Sequence, residues 1–192
     1  MSVPAFWDEA KQYVDLISNL LAEAGEVGQI PADVAKKGVK GELLNFMMYL
    51  SASDGTISTD EAAFITYVLG MSNVSVHQAV SHIASTIREN NIYSKEYETK
   101  VPTSLQLAVT VDNLMIDAGA AIDSSITQLL LQAYEKIGMH IIQSDNNVDA
   151  NEVKDFKIYM KTMQDYADAN YKGILSTNSN ANSSNATGFV KQ

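Results

Sequence analysis

Two short acidic segments carry the residue types and spacing that could do chemistry. They read Asp54-Gly-Thr-Ile-Ser-Thr-Asp-Glu61 and Asp145-Asn-Asn-Val-Asp-Ala-Asn-Glu152. Each has Asp, then Gly or Asn, an aliphatic residue three places on, Ser or Asp next, and Glu seven places after the Asp. The copies lie 91 residues apart (145 less 54). Each follows an apolar run, Phe46–Leu50 in one case and Ile137–Ile142 in the other. Each precedes a second apolar stripe: Phe64, Ile65, Val68 and Leu69, answered by Phe156, Tyr159, Met160 and Met163. The unit is therefore helix–acidic loop–helix, used twice.

Three chemistries suit this pattern. In the first, the acids only start helices. Ser58-x-x-Glu61 and Asp149-x-x-Glu152 are capping boxes, Ile57 and Val148 stand where a hydrophobic staple belongs, and Asp54-Gly55 and Asp145-Asn146 are turn formers. In the second, they hold a hard divalent cation. Glu61 and Glu152 fall on the apolar stripes of their helices, and an inward carboxylate needs a cation or several donors. The spacing also matches positions five, six, eight, nine and twelve of a calcium-binding EF-hand loop. Positions one and three would be Leu50 and Ala52, or Ile141 and Gln143, which excludes a true EF-hand. The remaining oxygens must come from elsewhere in the fold, the other repeat, or water. Asp112, on the stripe Leu105, Ala108, Val109 and Ile116, is a further inward acid. The candidate ligands are thus Asp54, Ser58, Glu61, Asp112, Asp145, Asp149 and Glu152, with Ca²⁺ the first choice and Mg²⁺ or Zn²⁺ the alternatives. In the third chemistry, a partner's basic residues neutralise the same acids.

The charge balance agrees with either ligand. Among 192 residues, 23 are acidic and 13 basic, a net charge of −10. No Lys or Arg occurs between Lys40 and Arg88, nor from Val101 to Glu135, so carboxylates there create unrelieved negative potential. Nucleic acid is excluded as a partner, because phosphates must be neutralised by Lys and Arg. With no cysteine, disulfides, thiolate metal sites and thiol nucleophiles are excluded as well. Catalysis finds little support. His77 and His82 sit on different faces of one helix, His140 lies five residues before Asp145, and no phosphate loop, nucleophile elbow or zinc-protease motif is present. A metal-dependent hydrolase using the clustered carboxylates remains the alternative reading.

The elements that must position these residues are helical nearly throughout. Phe6, Ala10, Tyr13, Val14, Ile17, Leu20 and Leu21 make a first amphipathic stripe, ended by Gly25 and Gly28, and Pro31 starts the next helix. Gly38 and Gly41 are expected to interrupt that helix, leaving Leu43–Leu50 as a separate piece. Ser75 caps a helix bearing Val76, Val80, Ile83 and Ile87. A polar connector spans Asn90–Pro102, and helices resume at about Thr103–Ala118, Ser124–Gln143 and Asp149–Asn170. The eight methionines read as core filler or as the lining of an adaptable groove. No run has the roughly 18 apolar residues of a membrane helix, and Met1–Glu9 lacks the marks of a signal peptide, which leads us to expect a cytoplasmic protein. The expectation is one all-α domain over residues 1–172, of about seven to eight helices, in pseudo-repeated halves at 1–90 and 103–172. A polar, disordered tail is expected at 173–192.

One family is brought to mind by these residues. A helix ending in Ser-Ala-Ser-Asp-Gly-Thr-Ile-Ser-x-x-Glu, followed by an apolar helix and repeated later, resembles the TerB-like family of tellurite-resistance proteins. The match covers roughly Val39–Ala169. The resemblance implies a compact all-α domain of two related halves, acidic residues that bind divalent metal, and a role in stress response or as a protein-interaction module near membranes. By position it carries over Asp54, Gly55 and Glu61 in the first half, and Asp145, Asp149 and Glu152 in the second. The second copy lacks the glycine.

Overall fold

A computed structural model describes residues 4–27, 30–71, 75–92, 95–120, 125–145 and 147–175. All regular structure among them is helical, in eight segments: α1 (Ala5–Val27), α2 (Ala32–Ser51), α3 (Thr59–Val68), α4 (Val76–Asn90), α5 (Lys95–Glu98), α6 (Thr103–Asp117), α7 (Ile126–Ile142) and α8 (Ala150–Asn170). The tail expected at 173–192 lies outside the described residues from position 176 onward, as does Asn146 of the second loop.

Local chemistry sets the starts of α3, α4, α7 and α8. Ser58 and Ser75 close full capping boxes with Glu61 and Gln78, and Asp149 closes one with Glu152. Ser125 accepts from the Gln128 amide at the start of α7. Two helix starts, those of α6 and α7, also take acceptors from a distance. Glu42 of α2 accepts from the Thr103 and Ser104 amides of α6 at 2.7 and 3.0 Å. Asp112 of α6 accepts from the Ile126 and Thr127 amides of α7 at 3.1 and 2.8 Å.

One expected break does not occur. α2 runs through Gly38 and Gly41 without interruption. Each glycine costs about 1 kcal/mol in a helix interior, but α2 lies along α1, α7 and α8 and buries Val39, Leu43, Phe46 and Met47, which outweighs that cost. The Asn90–Pro102 connector is also more than a tether. Ile92 is buried, and the Tyr97 ring of α5 stacks on Tyr49 with centroids 6.0 Å apart.

α1 spans the molecule, packing against α2, α3, α6 and α7. The core between the two repeats is aromatic. Phe46 of α2 meets Tyr134 of α7 and Tyr159 of α8 at 5.0 and 4.8 Å between centroids. Met47, Met48 and Met163 are fully buried, as core filler should be. At Gly138 of α7 an added Cβ would fall 2.4 Å from the Phe156 ring and 3.0 Å from Phe46, so the missing side chain admits α8 to the core. No helix among the described residues is long and apolar enough to cross a membrane.

Candidate functional site

The first acidic loop is built by its own side chains. Asp54 accepts from the Thr56 amide at 2.8 Å and from its hydroxyl, and Gly55 takes a φ of +89°, which a side chain would strain. Ser58 then starts α3: its hydroxyl accepts from the Glu61 amide at 3.1 Å, and Glu61 Oε2 accepts from the Ser58 amide at 2.6 Å. The second loop repeats the device. Asp145 accepts from the Asn147 amide at 2.9 Å, Asp149 from Asn151 at 2.7 Å, and Glu152 Oε2 from the Asp149 amide at 3.4 Å. Ile57 packs on the core, whereas its counterpart Val148 is 40% exposed.

Both capping glutamates point inward, as the helical period requires. Glu61 is 3% exposed and Glu152 5%. They also meet: the two carboxyl groups lie within interaction distance of each other, one from each repeat. Burial and the neighbouring Glu61 charge push Glu152 up to about 8, against the Asp149 amide that favours its ionised form. Burial also raises Glu61, opposed chiefly by Ser58. Oε2 of each acid is engaged at a helix start. Glu61 Oε1 is buried and makes no well-formed hydrogen bond. Beside it stands the Ser51 hydroxyl of α2, 1% exposed and likewise without a well-formed hydrogen bond. Two ionised carboxylates cannot satisfy one another, so a proton or a cation belongs between them. A further link joins the repeats, where the Ser53 hydroxyl donates to Asp155 of α8 at 2.8 Å.

The seven candidate ligands do not gather at one point. Glu61 and Glu152 come together, with Asp145 near enough to act on Glu152 electrostatically. Ser58 and Asp149 serve as caps, and Asp54 holds its own turn. Asp112 is buried, but both its oxygens lie on the α7 amides. Among the described residues no three His, Asp or Glu side chains form a ready metal cluster. His140 faces the other way from the loop it precedes. Its ring packs 5.5 Å from Phe6, and Nε2 stands 3.4 Å from Glu9 of α1. His77 and His82 are both exposed. Ser51 was missed by sequence reasoning, because a serine at the end of an apolar helix has no local signal of what lies opposite it.

A concavity of about 360 Å³ lies between α2, α3 and α4, lined by Leu44, Met48, Met71 and Ile83, with His82 in its wall. The polar groups of Thr66, Gln78 and Thr86 in its wall are already bonded to their own helices. It is an apolar cleft without a polar constellation. Compared with protein-family models, curated protein sequences and solved structures, the chain matches none.

Proposed function

We propose that this protein is a non-enzymatic, metal-responsive scaffolding module of the TerB-like kind, in which a divalent cation taking the place of a shared proton joins the two repeats. One observation carries the reading. Glu61 and Glu152 are buried against each other from opposite repeats, and Glu61 Oε1 lacks a well-formed hydrogen bond. The donor set suits a hard cation, since two carboxylates and the Ser51 hydroxyl offer oxygen alone and the carboxylates match its charge. Such an ion would supply electrostatic cross-linking between α3 and α8. The acids that stay exposed, Asp54 and Asp60 among them, would then face a basic protein partner.

Thermal melts of the full chain in chelator and in Mg²⁺, Mn²⁺, Ca²⁺ or Zn²⁺ test this. At an ion concentration near 100 times Kd, binding adds about 2.7 kcal/mol and raises the Tm by roughly 5–10 °C. Glu61→Gln/Glu152→Gln should melt no lower than the parent in chelator and lose the ion response. A parent chain insensitive to every ion would leave the acids as helix caps alone. Metal-dependent phosphoester hydrolysis lost in the double variant would favour an enzyme.

A further inference from the structure

Which ion the pair takes follows from what its oxygens already do. Ca²⁺ collects about six to eight oxygens and takes carboxylates mono- or bidentately, whereas Mg²⁺ is held by one or two carboxylates and keeps several waters. Here bidentate binding by either glutamate would consume a helix cap. Glu61 Oε2 is held by the Ser58 amide at 2.6 Å, and Glu152 Oε2 faces the Asp149 amide at 3.4 Å. The protein therefore offers Oε1 of each glutamate, the oxygen not held at a cap, and the Ser51 hydroxyl, which is 1% exposed and not otherwise well bonded.

Among the described residues, the other candidate carboxylates each already accept a hydrogen bond, Asp145 from the Asn147 amide among them. Asp54 is closed on Thr56, Asp149 accepts from Asn151, and Asp155 accepts from Ser53. Asp112 is committed to the start of α7. The repeats also differ at one decisive position. Ser51 corresponds, at the repeat spacing, to Ile142, so the third oxygen comes from one side alone.

We infer that the Glu61–Glu152–Ser51 site selects a small octahedral cation, Mg²⁺ or Mn²⁺, over Ca²⁺, binding it through three protein oxygens with water filling the rest of the shell. The inference rests on the reading above that the pair binds a cation at all. Two acids also balance a divalent charge without excess, so the capping boxes survive ion binding and the ion adds a bond between repeats without dismantling either.

The test uses Mn²⁺ as the probe. Electron paramagnetic resonance of free Mn²⁺ reports its binding to the full-length protein, and Mg²⁺ and Ca²⁺ then compete for it. Mg²⁺ should displace Mn²⁺ at a concentration about tenfold lower than Ca²⁺. Ser51→Ala should weaken Mn²⁺ several-fold with helicity unchanged by circular dichroism, and Glu61→Gln should abolish specific binding. Displacement by Ca²⁺ at equal or lower concentration than Mg²⁺ would overturn the selectivity while leaving the cation reading intact. Stoichiometric Mn²⁺ binding unaffected by Glu61→Gln, or no binding at all, would overturn both. Unchanged affinity in Ser51→Ala would remove Ser51 from the site.

Discussion

Asp112 and Glu61 are both buried carboxylates, and they meet burial by opposite routes. Asp112 spends both oxygens on backbone amides, while Glu61 spends one and leaves the other facing a second acid. Removing Asp112 should therefore cost stability without touching any ion response. Asp112→Ala is expected to lose about 1–3 kcal/mol, measured by urea unfolding with and without Mg²⁺. A changed Mg²⁺ response in that variant would place Asp112 at the ion after all. Glu152 makes the complementary prediction about pH. Its folded value, about 8, lies above the ordinary range for a glutamate, so the fold favours the protonated form. That preference is fully present below the usual glutamate value and is lost as pH rises through about 8. In chelator, the Tm should fall between pH 5 and 9 (about the range this shift spans), and Glu152→Gln should flatten the decline. A decline that persists in the variant would assign it to other groups.

At the scale of elements, the sequence was most legible where a feature is set within one turn of chain. The capping boxes at Ser58 and Asp149 involve residues three apart, and the inward aim of Glu61 and Glu152 follows from the helical period alone. The continuity of α2 was not legible, because Gly38 and Gly41 signal a break that packing against α1 overrides. Nor could the meeting of Glu61 with Glu152 be read, since it depends on how distant helices pair. The same holds for His140, which lies near Asp145 in sequence but turns toward Glu9. Gly138 shows the limit of propensity most sharply. In an exposed helix Gly→Ala gains about 1 kcal/mol. Here the new methyl would collide with Phe156 and Phe46, and Gly138→Ala should lose roughly 1–3 kcal/mol by chemical denaturation. A gain would show that α8 can shift away at little cost.

For the whole molecule, the N-terminal end of α1 is a fastening point. Trp7 lies edge-on to Phe64 at 5.6 Å, Tyr67 donates a hydrogen bond to Asp8, and the Phe6 ring packs on His140. Burial lowers the affinity of His140 for a proton, with Lys136 adding to the effect and Glu9 opposing it. The fold thus favours neutral His140, and acidification below the usual histidine value should weaken the attachment of α1 to α7. His140→Phe should reduce the loss of Tm between pH 7 and 5 (about the window of the free imidazole), with Trp7 fluorescence following the same change. An unchanged acid limb would show that other groups govern it.

The two remote caps run in one direction along the chain. Glu42 of α2 receives the first amides of α6, and Asp112 of α6 receives those of α7. Each of these helices finds its first acceptor on a segment synthesised before it. A chain emerging N-terminus first thus meets each acceptor already made, whereas a fragment beginning at α6 would start without Glu42. Circular permutation between α5 and α6 keeps both remote acceptors in the chain but reverses this order for α6. Comparing how fast the permuted and natural chains become protease-resistant during translation in vitro, with refolding of the complete chains as the control, would reveal how far assembly depends on synthesis order.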